Sequence, residues 1–289
     1  MTVVARALVA PDMTGISDQG IQVEVDPTSA GEVRLILPAV PENVAVVRQA
    51  LTGLTETLGI GPGVLADMKT AVSEACNNVV VHAYPDPMAA RPVEIIAVAN
   101  EGDVAVTVRD RGRGITPGEV DLDADRDGVG LSLITALTAA VEIDGAPDEG
   151  TAVRMRFVPD PDDPAHDPEL PKPDAGAVLS GVLGRTVAML AARANFSLDR
   201  LSDAQLVSDA VAAHALGHAA ASALRVQVDD DERALAIRVG PLTADGGERV
   251  VKESDLPGVG LLLEHLVDDV AVTRDGDAET LELRIAERP

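Results

Sequence analysis

The sequence predicts an α/β protein in which one α/β unit is duplicated in tandem. Helical segments with regularly spaced apolar residues alternate with short runs rich in β-branched residues, which is the pattern of mixed α/β units. The same order of elements occurs twice, at an offset of roughly 130 residues. A stretch rich in Pro and Asp separates the two copies, and this composition is typical of a linker.

These observations divide the chain into four parts. We expect an N-terminal extension of uncertain order (1–31), a first unit (32–158), a linker (159–175) and a second unit (176–289). Pro41 and Gly59 mark the start and the end of the first helix of the first unit. The predicted elements of that unit are a strand at 33–37, helices at about 41–58 and 63–83, a hairpin of strands at 93–99 and 104–109, a helix at about 131–140, and closing strands at 141–143 and 152–157.

The second unit is predicted to repeat this plan without the first strand. Its expected elements are helices at 178–194 and 203–224, a hairpin of strands at 226–228 and 234–239, a glycine turn at 258–260 followed by a helix, and a final strand at 281–285. Gly128-Val129-Gly130-Leu131 matches Gly258-Val259-Gly260-Leu261, and Thr151 is matched with Thr280. An internal duplication explains these coincidences economically.

Composition excludes some classes of function. The formal net charge of −25 argues against binding nucleic acid, which requires a basic surface. No apolar run is expected to reach the roughly 20 residues of a membrane helix, and the N-terminus lacks the apolar region of a signal peptide, so we expect a cytoplasmic protein. The single cysteine, Cys76, allows no internal disulfide, and we interpret it as a small buried apolar residue.

Four polar or glycine-rich blocks in the first unit suggest a ligand site. Glu74, Asn78 and His82 recur every four residues on the second helix, so they lie on one face. An amide and a carboxylate one turn apart suit a hard cation and a nucleophile, although a solvent-facing polar stripe has the same spacing. The other blocks are Asp110-Arg111-Gly112-Arg113-Gly114-Ile115 after a strand, Gly128-Val129-Gly130-Leu131 at the start of a helix, and Gly150-Thr151 at the start of the last strand.

Each block has an ordinary structural explanation when taken alone. The first glycine block could be a turn, and the second could be a helix start with close packing. The free N–H groups of a helix start also bind anions. The arginines at 109, 111, 113 and 126 flank these glycines and supply positive charge in an acidic chain.

The order and spacing of the four blocks, over about residues 33–158, resemble the N, G1, G2 and G3 boxes of the GHKL ATPases. SEACNNVVVHAY is most similar to the helix signature of the serine kinases that act as bacterial anti-sigma factors. The resemblance implies the Bergerat (GHKL) ATPase fold, an α/β two-layer sandwich of helices on a sheet, with ATP and Mg²⁺ as cofactors. It also implies the site residues, which are Glu74 as catalytic base, Asn78 as Mg²⁺ ligand, Asp110 as the carboxylate that reads adenine, Gly112, Gly114 and Ile115 around the base pocket, Gly128, Val129, Gly130 and Leu131 at the phosphates, and Thr151 near adenine.

The same resemblance implies partners. Members of the family phosphorylate a serine of an anti-anti-sigma protein with a STAS domain, and the same kinase sequesters a sigma factor. Arg48 on the first helix is only a candidate partner contact, and an ordinary surface arginine is the favoured explanation. An alternative function is an ATP-sensing switch that binds its regulator with little or no phosphotransfer. A clamp of the gyrase or chaperone kind is disfavoured because the segment between the glycine blocks is short.

The second unit has lost the residues of the predicted site. Asp209 stands in place of Glu74, Ala213 in place of Asn78, and Pro241 opposite Asp110. We therefore expect a degenerate copy that does not bind ATP and that could act as an intramolecular pseudo-dimer partner. A homodimer of the whole chain is the alternative arrangement.

Overall fold

A computed structural model describes residues 20–28, 31–84, 91–100, 102–114, 129–159, 173–256, 258 and 260–288. The first part of the chain contains one strand that was not predicted, followed by the predicted elements in the predicted order. They are β1 (Ile21–Val25), β2 (Glu32–Pro38), α1 (Pro41–Thr57), α2 (Pro62–Asn78) with a π-helical continuation (Val79–Ala83), β3 (Pro92–Asn100), β4 (Asp103–Arg109), α3 (Val129–Leu137), β5 (Ala140–Ala146) and β6 (Gly150–Phe157).

The second part of the chain repeats helix, helix, hairpin, helix and closing strands. Its elements are α4 (Ala175–Arg193), α5 (Leu198–His214) with a 3-10 turn (Ala215–His218), β7 (Leu224–Asp231), β8 (Ala234–Leu242), α6 (Gly246–Glu253), β9 (Asp255–Leu256), β10 (Gly260–Leu261), α7 (Leu262–Leu266), β11 (Asp269–Asp275) and β12 (Ala278–Ala286). Neither α6 nor β11 was predicted from the sequence.

The predicted helix from 203 to 224 has the wrong bounds. The helix begins at Leu198 and its last turn ends at His218, while Leu224 is fully buried as the first residue of β7 and lies opposite Val25. The alanine-rich segment before Leu224 has high helix propensity, and strand pairing overrides that local preference here.

Ten strands form one antiparallel sheet in the order β11-β12-β8-β7-β1-β2-β3-β4-β6-β5. Alternate residues of β3, β4 and β7 are buried, as expected for strands with one covered face. Their apolar side chains join the buried sides of α1, α2, α4 and α5 in a single core. The helices therefore form one layer and the sheet the other.

The strand β1 lies in the segment that the sequence assigned to an extension of uncertain order. It pairs with β2 on one side and with β7 on the other, and Ile21, Val23 and Val25 are buried. From the centre outward the first unit has the order β2-β3-β4-β6-β5, and the other side has β1-β7-β8-β12-β11. The N-terminal strand thus occupies, beside β7, the position that β2 occupies beside β3.

The two halves also meet through α1 and α4. A Cβ built on Gly53 would lie 1.9 Å from the carbonyl oxygen of Gly181, so the two helix backbones touch where both residues lack a side chain. The Nε of Arg185 on α4 donates to Glu56 of α1 at 3.1 Å. Arg193, at the end of α4, donates to Asn43 of α1 at 2.9 Å.

One apolar helix departs from the composition-based expectation. Among the described residues, α4 is the helix that is long and apolar enough to cross a membrane by length and composition, with a mean hydropathy of 1.5. Half of that stretch is buried inside the protein, and α4 packs between α1 and α5. In this fold α4 is a core helix.

Candidate functional site

The carboxylate of Asp110 lies at the end of β4, beside the start of β6. Its backbone N–H donates to the carbonyl oxygen of Thr151 at 2.9 Å, and its Oδ1 accepts from the N–H of Gly112 at 2.7 Å. The residue is 5% exposed. Burial raises the pKa of Asp110, and hydrogen bonds from Gly112 and Thr151, including its hydroxyl, oppose that rise. The structure therefore brings together Asp110 and Thr151, the two residues that the resemblance assigned to adenine.

Two glycines around Asp110 adopt backbone conformations that other residues rarely adopt. Gly114 has φ +69° and Gly150 has φ +84°. A Cβ on Gly150 would lie 2.2 Å from the carbonyl oxygen of Asp110, and a Cβ on Gly114 would lie 1.9 Å from that of Ala146. The loop after β4 and the turn before β6 consequently pack backbone against backbone, which only glycine allows.

The carboxylate of Glu74 on α2 lies against the first turn of α3. A Cβ on Gly130 would lie 2.3 Å from Oε1 of Glu74, so the carboxylate lies directly against the Gly130 backbone. Glu74 and Asn78 are both partly exposed, while Asn77 between them is more exposed. Asn78 is the last residue of α2, and the π-helical turn follows it. His82, predicted on the same face, is exposed in that turn.

Several residues that the sequence singled out fall wholly or partly outside the part of the chain that the structure describes. Ile115, Gly128 and Arg126 lie outside the described residues, and Val129 is described only through its backbone as the first residue of α3. Leu131 is partly buried and packs against the core.

The arginines near the glycine blocks differ in their surroundings. Arg109 faces Glu94 at 4.0 Å with 55% of its side chain exposed. Arg111 and Arg113 are exposed. The exposed guanidinium groups are available to offset the charge of an anionic ligand.

The sequence missed the role of Tyr84 and Ala83 at the end of the helix motif. The Tyr84 hydroxyl donates to the carbonyl oxygen of Pro92 at 2.9 Å and accepts the N–H of Arg111 at 3.1 Å. The carbonyl oxygen of Ala83 accepts the N–H of Arg113 at 3.0 Å. Tyr84 is the only tyrosine of the chain, and this could have drawn attention to it.

ATP and Mg²⁺ fit the residues that the structure does describe. A buried carboxylate with a hydrogen-bonded hydroxyl neighbour suits an exocyclic amine, and the N-terminal turn of α3 suits an anion. Glu74 and Asn78 offer oxygen ligands of the kind Mg²⁺ prefers. Within the described part of the chain, no cluster of three or more His, Cys, Asp or Glu could hold a metal alone. A cation here would need oxygens from the phosphates.

Strand pairing allows the second unit to be compared position by position. In the first unit Val108 lies opposite Val153, and in the second unit Val239 lies opposite Leu281. Counting from these pairs, Pro241 takes the position of Asp110. Glu279, rather than the predicted Thr280, takes the position of Thr151. The β12–β8 pair contains an irregularity between Glu279 and Leu281.

The equivalent of the site in the second unit is filled by its own side chains. Glu279 is 2% exposed and accepts from the N–H of Gly247 at 3.1 Å and from Nε of Arg274 at 2.7 Å. Desolvation acts to raise the pKa of Glu279, but the hydrogen bonds from Gly247, Asp245 and Arg274 outweigh it and the pKa is lowered. The hydrogen bond from Gly247 joins the start of α6 to the start of β12.

Comparisons with known proteins concern mainly the first unit. Residues 37–157 match the family model described as histidine kinase-like ATPase domain. The chain is 31% identical to the anti-sigma F factor of Oceanobacillus iheyensis over 136 residues, which are 43% of this chain and 90% of that protein. It is 33% identical to the anti-sigma F factor of Pasteuria penetrans over 39% of this chain and 81% of that protein. The serine-protein kinase RsbW of Bacillus thuringiensis is 29% identical over 43% of this chain and 82% of its own length.

Proposed function

Because the chain belongs to the histidine kinase-like ATPase family that includes these anti-sigma F factors, we propose that it is an ATP-dependent anti-sigma factor serine kinase. The first unit (32–158) binds ATP with Mg²⁺ and transfers the terminal phosphoryl group to a serine of a STAS-domain anti-anti-sigma protein. The same unit sequesters a sigma factor in the alternative state. We place this activity in the cytoplasm, where such partners act.

The observation that carries this proposal is the meeting of site residues at the end of β4 and the start of β6. Asp110, Thr151 and Gly112 form one hydrogen-bonded group in which Asp110 and Gly112 are buried, and Glu74 lies against Gly130 at the start of α3. These are the residues that an adenine pocket and a phosphate site require, on neighbouring elements of one unit.

Each residue has a distinct chemical task in the proposed reaction. Asp110 accepts a hydrogen bond from the exocyclic amine of adenine, and Thr151 orients that carboxylate. The N-terminal turn of α3 receives phosphate oxygens, and Asn78 holds Mg²⁺. Bound Mg²⁺ neutralises charge on the phosphates. Glu74 accepts the proton of the attacking serine hydroxyl, as a general base does.

We propose that the second unit binds no nucleotide and serves as a fused partner for the first. Ala213 lacks a ligand atom in place of Asn78, and Glu279 is already bound by Arg274 and the start of α6. The β1–β2 pair and the close approach of α1 and α4 support a pseudo-dimer within one chain. Descent of both units from one duplicated domain is part of this proposal.

Calorimetric titration of ATP into the full chain tests the binding site. We expect one ATP per chain, an affinity that Mg²⁺ increases, and loss of that increase in Asn78→Ala. Asn77→Ala is the matched control, because Asn77 is the exposed neighbour on the same helix. Two ATP per chain would contradict an inactive second unit, and no binding would contradict the proposed function.

Phosphotransfer separates the kinase from an ATP-sensing switch. With radiolabelled ATP and a STAS-domain protein, we expect Glu74→Gln to bind ATP normally and to lose roughly 10²- to 10⁴-fold in transfer rate, the usual effect of a general base. Wild-type protein that binds ATP and the sigma factor but transfers no phosphate would support the switch instead.

A further inference from the structure

The end of the α2 helix segment and the loop after β4 are joined by an unusual set of backbone hydrogen bonds. The amide N–H groups from Asp110 to Arg113 all have partners. The first binds the carbonyl oxygen of Thr151, and the third binds the side chain of Asp110 itself. The second and the fourth bind the Tyr84 hydroxyl and the Ala83 carbonyl oxygen. Half of these contacts therefore come from the segment that directly follows the helix carrying Asn78.

The contact between this segment and the loop is also sterically close. A Cβ on Gly112 would lie 2.3 Å from the carbonyl oxygen of Ala83. The Gly112 backbone therefore lies directly on Ala83, and its N–H can reach Oδ1 of Asp110 at 2.7 Å. The loop position and the orientation of the Asp110 carboxylate are linked through this contact.

Tyr84 is the part of this contact that depends on a side chain. Its hydroxyl uses both hydrogen-bonding functions, donating to Pro92 at the start of β3 and accepting from Arg111 in the loop. The ring is partly buried against the core. Without the hydroxyl, the N–H of Arg111 and the carbonyl oxygen of Pro92 would both lose their partner, and the ring would still fill its place.

From this geometry we propose that Tyr84 is a positioning residue for adenine recognition, acting through Arg111 and Gly112 to hold the Asp110 carboxylate in its base-reading orientation. This inference rests on the proposed function, because it assumes that Asp110 reads adenine. It adds a base-selecting role for the end of the helix motif, separate from the roles of Glu74 and Asn78 toward phosphate and metal.

The test compares ATP with inosine triphosphate, in which a carbonyl group replaces the exocyclic amine. We expect wild-type protein to bind ATP more tightly than inosine triphosphate. In Tyr84→Phe, the Kd for ATP should rise by roughly three- to tenfold, the range for loss of one net hydrogen bond. The Kd for inosine triphosphate should change little, and kcat at saturating ATP should stay within about twofold.

A hydroxyl deletion in the second unit provides the control. Ser202 is exposed on α5, and its Oγ donates to the carbonyl oxygen of Leu198, so Ser202→Ala should leave both nucleotide affinities unchanged. A merely structural role of Tyr84 would weaken both nucleotides equally and lower the melting temperature in proportion, and that result would overturn the proposal. An unchanged ATP preference in Tyr84→Phe would overturn it while leaving the proposed function intact. Failure of wild type to bind ATP would overturn both.

The wild-type chain offers an independent measurement if the variant does not fold. The chain contains one tyrosine and no tryptophan, so its tyrosine emission reports this position alone. With absorption by the nucleotide corrected, Mg²⁺-ATP should change the emission, and Mg²⁺-pyrophosphate at saturating concentration should not. If the tyrosine emission changed equally with both ligands, or did not change with Mg²⁺-ATP, Tyr84 would not lie on the adenine side of the site and the proposal would be overturned.

Discussion

The substitution Asp110→Asn should separate ligand binding from stability, because the two depend on the Asp110 charge in opposite ways. Asparagine keeps an oxygen that can accept the N–H of Gly112 but no longer offers a carboxylate to an exocyclic amine. A hydrogen bond to a charged group contributes about 1.5–3 kcal/mol, so the Kd for ATP should rise by roughly tenfold to a hundredfold. Asp67→Asn, exposed near the start of α2, is the matched control and should bind ATP as wild type does.

The stability of the ligand-free protein should change in the other direction. Burial raises the pKa of Asp110 above its ordinary value, so the folded state holds this proton more tightly than the unfolded chain does. The free energy of unfolding therefore falls as pH rises from the pKa of Asp110 in the unfolded chain to its higher pKa in the folded protein. Above the folded-state pKa, the decrease is complete. Asp110→Asn removes this loss.

Thermal unfolding at several pH values measures the effect. At pH 7 without nucleotide, Asp110→Asn should melt at the same temperature as wild type or higher, and the difference should vanish at a pH below the ordinary aspartate pKa. Saturating ATP should raise the melting temperature of wild type much more than that of the variant. A variant that is less stable at pH 7 and binds ATP normally would refute the assignment of Asp110 as a desolvated carboxylate that reads adenine.

Three further predictions concern packing within and between the two units. Gly181→Ala should lower the free energy of unfolding, measured in urea, by about 1–3 kcal/mol, because its Cβ would clash with Gly53 on α1. The control is Gly184→Ala, whose Cβ would have no atom nearer than 3.9 Å. This control should leave the free energy of unfolding unchanged or raise it by up to about 1 kcal/mol. Arg200→Met should lower it by about 3–5 kcal/mol, because the buried guanidinium bridges two carboxylates and two carbonyl oxygens. Cys76 should resist thiol reagents up to pH 9 until the protein unfolds, because burial raises its pKa to about 12.

Local patterns were sufficient to predict most of the first unit. Pro41 and Gly59 bound α1 as expected, and the hairpin of β3 and β4 turns at the predicted residues. The family resemblance assigned Asp110 and Thr151 separately to adenine, and the hydrogen bond between them is visible only in the structure. Periodicity and turn residues are encoded locally, whereas the distance between residues on two strands depends on the register of the sheet.

The elements that were missed depend on long-range contacts. Ile21, Val23 and Val25 lie in a segment punctuated by glycine and proline, and their strand is defined by β2 and β7, the latter about 200 residues away in sequence. Which residue of β12 lies opposite a given residue of β8 depends on the register of that pair, which is irregular between Glu279 and Leu281. The Tyr84 contact likewise joins residues that only the folded sheet brings together.

The shared sheet gives the second unit a role that does not depend on chemistry. β1 precedes the first unit in the chain but pairs with β7 of the second unit. The N-terminal strand therefore extends the sheet of the second unit. If the units separated, β2 would become an exposed edge strand with unpaired N–H and carbonyl groups, which proteins avoid. Gly53 and Gly181 would also lose the contact that explains their lack of a side chain. Helix α1 carries Arg48, whose guanidinium contacts Ser73 of α2. The second unit therefore fixes the position of α1 from the side opposite the site, while its own equivalent position is occupied by the Glu279–Arg274 ion pair.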